Sequence, residues 1–217
     1  MTSPAPEADL VKRLAELGVA TVYEASGRRG LIDAPLVATK PGARVAGPAR
    51  TALCGQGDNR AVHAVMARLS PGDVLVLTMP EPAPVALLGE LLATQAHAHG
   101  AAAVLVDAAI RDVADLRAMP LPIWARFIRV AGAAKKERGE LDVPVVVGGA
   151  RIRPGDLLVL DDDGAVVVEQ DRIGEVANAS EARRDREQTM RERLARGELS
   201  YDIYGMRSED AAAGAQG

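Results

Sequence analysis

The chain has 217 residues and a net charge of −4, with one Trp, three Tyr and one Phe. That length suits one domain with a sizeable core, and the charge and scarcity of aromatics exclude the basic footprint and stacking platforms of nucleic-acid binders. A single cysteine, Cys54, excludes an internal disulfide and fits a reducing compartment; no apolar run reaches the roughly 20 residues of a bilayer span. The acidic, proline-bearing start MTSPAPEADL is unlike a signal peptide, so a cytoplasmic protein without a membrane partner is expected.

Glu7 to Leu17 places Leu10, Val11, Leu14 and Leu17 at helical spacing, and Gly18 stops the helix. Thr21–Arg28 reads as a second short helix. Arg44–Cys54 is strand-like, with Pro48 suggesting an edge or a bulge. Asp58 is placed to cap a helix whose apolar face is Val62, Val65, Met66 and Leu69. Ser70–Asp73 turns into a buried strand, Val74–Leu77. A helix is expected over roughly Val85–His99, with Gly89 and Glu90 near its start.

Ala101–Asp112 is the most informative stretch. Its apolar run ends in Asp107, crosses a turn of small residues, Ala108-Ala109, and delivers Arg111 and Asp112 to the start of another helix. Extended segments follow around Ile123–Val130, Val143–Val147 and Leu157–Leu160. Asp161–Gly164 then turns into Ala165–Val168 as a hairpin. From Asp171 to Arg196 a long charged helix carries the stripe Val176, Ser180, Arg183, Glu187, Met190 and Leu194. Glu187 is therefore expected on the buried side, where a carboxylate requires a partner or a task. The pattern predicts an α/β domain with a mixed sheet over 1–170, a helical arm over 171–207 and a disordered tail over 208–217.

Ligands in α/β proteins bind beyond the carboxyl ends of strands, where Arg111 and Asp112 are expected. One reading makes Asp112 a helix cap, with Asp115 completing an acidic first turn. The other makes Arg111 a fork for a carboxylate and Asp112 a ligand for Mg²⁺ or Mn²⁺, ions that need few protein carboxylates. Gly89-Glu90-Leu91-Leu92 would let a ligand approach free N–H groups at a helix start. His97 and His99 point to opposite sides of a helix, His63 is isolated, and Cys54 has no neighbour at zinc spacing, so a structural zinc site is not expected. Gly55–Asn59 reads as a turn, and no lysine lies in an apolar run of the kind that tunes a Schiff-base amine.

Together, Gly89-Glu90-Leu91-Leu92-Ala93, Gly100, Asp107 and Arg111-Asp112 resemble the RraA-like family, which includes the class II 4-hydroxy-4-methyl-2-oxoglutarate / 4-carboxy-4-hydroxy-2-oxoadipate aldolases. The likeness extends over nearly the whole chain, through Gly57-Asp58-Asn59, Pro71-Gly72-Asp73, Trp124-Ala125-Arg126 and Asp161–Gly164, to Asp202–Arg207 of the C-terminal arm. It implies a three-layer β/β/α fold of the swivelling-domain kind with a long C-terminal helical arm. It also implies a homotrimer or hexamer with sites between subunits and the arm packed on a neighbour. By resemblance, Asp112 would hold the divalent metal, largely through waters, and Arg111 would bind pyruvyl oxygens. The amides of Leu91 and Leu92, opened by Gly89, would receive the substrate carboxylate. Glu90 would order the waters, and Glu187 would reach the neighbouring subunit's site.

The implied reaction is retro-aldol cleavage of a 4-hydroxy-2-oxo acid to pyruvate and a 2-oxo acid, with oxaloacetate decarboxylation as a side activity. The resemblance equally allows a regulator that binds a ribonuclease complex, or a relative performing other metal–enolate chemistry. The chain departs from the family at Ala108-Ala109, where glycine is usual, and at Arg126–Lys136, which would line the distal pocket.

Overall fold

Valine-, leucine- and alanine-rich runs build the sheet, and the helices cover its faces. The computed structural model of the protein describes residues 8–214. In chain order these are α1 (Ala8–Leu17), α2 (Val19–Ala25), β1 (Val37–Ala38), β2 (Val45–Leu53), α3 (Arg60–Val65), β3 (Val74–Thr78), β4 (Ala86–Leu88), α4 (Glu90–Ala98), β5 (Ala103–Ile110), α5 (Val113–Ala118) and β6 (Ile123–Ile128). They continue with β7 (Glu140–Leu141), β8 (Val145–Val147), β9 (Ala150–Ile152), β10 (Leu157–Asp161), β11 (Gly164–Val168), α6 (Ile173–Ala195), α7 (Ser200–Ile203) and α8 (Met206–Gly214).

Among the described residues nine strands share one mixed sheet, in the order β1-β6-β5-β3-β2-β10-β11, with β4 on β5 and β7 on β2; β8 and β9 form a separate hairpin. The β2-β3-β5-β6 block is parallel, whereas β10 runs antiparallel to both β2 and β11. Alternation along each strand explains how the sheet curls. In β3, Leu75 and Leu77 face a core under α3, α4 and α5, while Val74 and Val76 face a second core. Leu158 and Leu160 of β10 and Ala165 and Val167 of β11 enter that same second core from the other side. Their alternate neighbours Leu157, Val159, Val166 and Val168 pack under α1, α2 and the start of α6. One half of the sheet thus lies over the other, with helices outside, which is the expected β/β/α layering. Burial on both faces leaves every residue of β3 and β5 buried.

The chain divides into a unit through Ser180 and a second from Glu181 onward. Within the second, helices α7 and α8 follow the distal part of α6, and side chains pair locally: Arg193 with Glu198 at 2.7 Å, and Arg207 with Asp202. Residues expected to be disordered from Ser208 are instead helical to Gly214, where AAA favours helix; 215–217 lie outside the described residues.

Three further expectations change, and one is sharpened. The segment Val85–His99 is not one helix, because Ala86–Leu88 forms a buried strand paired parallel to β5 and the helix begins only after Gly89. Strand β5 does not stop at Asp107. It continues to Ile110, so Ala108 and Ala109 are buried strand residues rather than a turn, and neither needs the left-handed backbone that favours glycine. Pro48, expected at an edge or a bulge, sits within a central strand but is paired there on one side only, with Leu157 of β10. It marks the point where β2 gives up its pairing with β10 and takes up β3 at Ala49. Glu187 is not buried within the chain: its side chain is 39% exposed and pairs with Arg183 one turn earlier at 2.8 Å. The apolar stripe of α6 is buried only at Ile173, Val176, Ala177 and Ser180, and becomes charged beyond them.

Candidate functional site

Two parallel strands, β4 and β5, end side by side, and each feeds a helix directly. Ala86 pairs with Ala109 and Leu88 with Ile110, and the Arg111 N–H donates to the Leu88 carbonyl at 3.1 Å. Beyond these ends lies a cleft of about 250 Å³, whose walls include Asn59, His63, Gln95, Arg111, Asp112 and Lys135. Gly89, Leu91 and Leu92 line it too. The sequence-predicted residues Gly89, Leu91, Leu92, Arg111 and Asp112 therefore meet at one place. Glu90 sits at the first position of α4, where its carboxylate accepts the Thr94 hydroxyl at 2.8 Å. Glu187 belongs to the second unit.

Asp112 occupies the N-cap position of α5 but does not cap with its side chain. Its backbone is left-handed, φ 59° and ψ 39°, a conformation that Asp and Asn tolerate better than other residues with a Cβ. The carboxylate turns toward α4, where Oδ2 accepts the Glu90 N–H at 3.2 Å and lies 3.7 Å from Arg111 Nε. Its side chain is 43% exposed. The cap reading thus accounts for the position of Asp112 and not for its carboxylate.

The first turn of α4 leaves amides open. Ala93 N–H makes the first helical bond, to Gly89. The carbonyls one turn before Leu91 and Leu92 are already engaged, Leu87 by Asn59 Nδ2 and Leu88 by Arg111 N–H. The Leu91 and Leu92 N–H groups, on residues that line the cleft, thus lack an intrahelical acceptor at the positive end of a nine-residue helix, beside a guanidinium, an arrangement that favours a carboxylate.

Space at the site is reserved for side chains. A Cβ on Gly89 would overlap Asp112 Oδ2, and one on Gly132 would come within 2.8 Å of Arg111 Nη1. Gly89 has φ −137° and ψ −171°, which alanine adopts without strain. Gly89→Ala is accordingly expected to leave the thermal midpoint almost unchanged. Displacement of the Asp112 carboxylate should lower turnover about tenfold to a hundredfold, read as kcat/KM beside a melting curve.

The sequence reading missed the far wall. Asn59 is 7% exposed, donates to Leu87, and leaves Oδ1 without a hydrogen bond. His63, isolated in the sequence from other metal-ligating residues, lies one helical turn on, so the i, i+4 spacing was a usable signal. Lys135 had no local signal. It is carried by a loop stapled to residues 57–60: Asn59 N–H donates to Ala134 O at 2.9 Å, and Asp58 Oδ2 accepts the Lys136 N–H at 2.6 Å. Asp58 also accepts the Arg60 N–H at 2.8 Å, so it ties the start of α3 to this loop, although Asn59 and not Asp58 holds the N-cap position. Burial pushes its carboxyl up, but donation from Lys136, Arg60 and Glu137 more than offsets this and holds it below the usual carboxylate range. The divergent 126–136 segment does enter the cleft, through Gly132, Ala133 and Lys135 on its wall.

Asp107 lies beneath the site. The β5–β6 ladder slips by one residue between Val106 and Ala109, and there Arg126 Nε donates to the buried Asp107 at 2.5 Å. Cys54 takes no part in this chemistry, because burial pushes its thiol up to about 12.

Among the described residues no three His, Cys, Asp or Glu side chains converge on a metal-sized space. Asp112 alone offers a charged, partly exposed oxygen in the cleft. One carboxylate with room for several waters suits Mg²⁺ or Mn²⁺ rather than a structural zinc ion.

The sequence pattern of the family described as RraA-like (Aldolase/RraA) matches residues 19–167. A protein of Halalkalibacterium halodurans, named "Putative 4-hydroxy-4-methyl-2-oxoglutarate aldolase", is 41% identical over 125 residues, which are 58% of this chain and 60% of that relative. Among solved structures, Streptomyces coelicolor RraAS2, titled an unusual member of the RNase ES inhibitor RraA protein family, is 33% identical. It superposes with a TM-score of 0.77 over 88% of this chain and 99% of its own. The RNA-processing inhibitor RraA from Thermus thermophilis is 35% identical, with a TM-score of 0.57 over 61% of this chain and 80% of its own. The layered sheet is that of the RraA structures it superposes on, and the chain belongs to the RraA-like family.

Proposed function

We propose that the protein is a divalent-metal-dependent pyruvate aldolase that cleaves a 4-hydroxy-2-oxo di- or tricarboxylic acid, with oxaloacetate decarboxylation as a side activity. The observation that carries this reading is the Asp112 carboxylate: it stands at a helix cap without capping and shares its cleft with Arg111 and two open amides. A Mg²⁺ or Mn²⁺ ion held by Asp112 would supply Lewis acidity to the 2-oxo group.

The chain's own groups supply the rest. The Leu91 and Leu92 amides receive the substrate's C1 carboxylate, and the Arg111 fork holds the keto oxygen. Loss of the C4 hydroxyl proton breaks the C3–C4 bond and releases a 2-oxo acid. The electron pair passes to the pyruvyl fragment as its enolate, whose oxygen charge Arg111 meets, and a proton returned to C3 gives pyruvate. Asn59 Oδ1 is an acceptor for the C4 hydroxyl, and Lys135 with His63 offers cationic and hydrogen-bonding partners for the distal carboxylate. Glu90 orders water at the cleft mouth.

Glu187 serves as the remaining base at a neighbouring subunit's cleft, in a homotrimer or hexamer. The 81% exposed Leu91 and the 87% exposed Val130 are apolar surface suited to such an assembly. The competing reading, a regulator that binds a ribonuclease complex, draws on the names of the two solved relatives. It assigns no task to the open amides beside Arg111.

A metal-depletion assay separates the two. The protein is stripped with chelator, and pyruvate release is followed on 4-hydroxy-4-methyl-2-oxoglutarate, 4-carboxy-4-hydroxy-2-oxoadipate and oxaloacetate, before and after Mg²⁺ or Mn²⁺ is restored. Stimulation of about a hundredfold or more is expected. Full turnover in excess chelator would remove the metal from the proposal. No turnover on any of the three would favour the regulator.

A further inference from the structure

We infer that the protein has a second ligand site, for a small polyanion, in the cleft between the α2–β1 turn and the β8–β9 hairpin. This cleft, of about 240 Å³, shares no lining residue with the cleft at Arg111 and Asp112. Its floor is apolar, with Val167, Val168 and Val176 all buried. Three arginines reach it: Arg29, Arg151 and Arg172.

The three differ in what they hold. Arg172 is committed, since its Nε and Nη2 donate to Glu175 at 3.1 and 2.8 Å and its fork also leans on the Ser26 carbonyl. Glu169, the one acidic side chain on the lining, stands 3.9 Å from Arg153. Arg29 and Arg151 have neither an ion pair nor a side-chain hydrogen bond among the described residues. Two arginines, with five N–H donors each, therefore line one cleft without a hydrogen-bonded protein acceptor, Arg29 meeting the Glu175 carboxylate only through space.

Both are mounted on rigid backbone. The buried Ser26 hydroxyl lies 2.8 Å from the Tyr23 carbonyl and 3.0 Å from that of Arg29, donating to one of them, and accepts the Arg29 N–H, and a Cβ on the next residue, Gly30, would overlap the Val167 carbonyl. Arg151 lies opposite Val146 in a hairpin whose turn, Gly148-Gly149, is left-handed at both residues. Like charges held together in this way favour uptake of a counter-ion, and paired forks select oxyanions that accept two parallel hydrogen bonds. The cleft lies below the roughly 300 Å³ at which pockets for drug-sized ligands begin, so the ligand is small. Its chemistry is that of a compact dianion or trianion, either a phosphate or a polycarboxylate.

The test uses the full chain in an Arg111→Ala background, which removes the guanidinium of the first cleft and makes the result independent of the proposed reaction. Inorganic phosphate and propane-1,2,3-tricarboxylate are titrated separately by calorimetry at low ionic strength without metal. At least one is expected to bind one per chain with Kd below about 1 mM, and which one binds identifies the source of the anion. Affinity should fall as salt is raised. Adding Arg29→Gln and Arg151→Gln should raise Kd about tenfold or more, and each alone should raise it by less. Both side chains are exposed, so the melting point should be retained. Absence of saturable binding by both anions, or equal affinity in the doubly substituted protein, would overturn the site.

Discussion

Asp112→Asn is expected to abolish metal-dependent pyruvate release while leaving the protein folded. The substitution is chosen for its backbone. Residue 112 is left-handed, and a side chain without a local hydrogen-bonding group pays about 1–2 kcal/mol to stay there. Asparagine tolerates that region, and its side-chain oxygen can still accept the Glu90 N–H, so the β5–α5 corner and the α4 start keep their geometry. What is lost is the negative charge and a hard oxygen ligand. Turnover on the branched hydroxy-keto acids and on oxaloacetate should fall about a thousandfold, with the thermal midpoint nearly unchanged. Asp112→Ala should lose the same activity but also stability, which makes it the poorer probe. Turnover by Asp112→Asn within a few-fold of wild type would refute the assignment of Asp112 as the metal ligand.

Arg111→Lys should be almost as damaging, although it keeps the charge. Lysine is a point charge on a flexible stem and cannot hold the keto oxygen and a neighbouring oxygen in one plane. Arg111 is aimed by its backbone bond to Leu88 and by the space left at Gly132, and a lysine inherits the position without the fork. A fall of about a hundredfold in kcat/KM is expected, with kcat as well as KM affected, because the interaction strengthens as enolate charge develops. The same position tests whether the site is shared. Arg111→Ala and Glu187→Ala should each be inactive alone, and mixed subunits should regain part of the activity, since some clefts then combine an intact Arg111 with an intact Glu187. Absence of rescue in subunits shown to exchange would argue against Glu187 as a partner-supplied base.

Glu187 also illustrates what a periodic pattern can and cannot tell. Its place in the stripe Val176–Leu194 was legible, and the structure adds that burial on this face ends at Ser180. Beyond that point the stripe is half-exposed and Glu187 pairs with Arg183. Periodicity states which residues share a helix face. What covers that face depends on surfaces far away in sequence, or in another subunit.

Asn59 and Lys135 show the same boundary. Asn59 reads locally as part of a turn before a helix, and its significance lies in a carbonyl of β4 reached by Nδ2 and an acceptor left open at Oδ1. Lys135 enters the cleft because Asp58, far back along the chain, binds the amides that follow it. Side-chain-to-backbone bonds of this kind leave no spacing signature, because their partners are brought together by the sheet.

The amino-acid sequence by itself determined that the Ala101–Asp112 crossing pairs a buried strand with a charged end. An apolar run must be buried, and a charged pair at its end must emerge where the strand does. It determined as well that Gly89 and Glu90 stand near a helix start, where the first turn lacks internal acceptors, but that the helix begins only after Gly89 was set by the strand Ala86–Leu88. Only the tertiary structure decided that the strand runs through Ala108 and Ala109 to Ile110, because pairing with β4 and β6 extends it where local propensity suggested a turn. It decided, too, that the Asp112 carboxylate faces α4 rather than its own helix. That choice depends on a left-handed backbone and on the parallel pairing of β4 with β5, and long-range strand pairing is not encoded in the spacing of neighbouring residues.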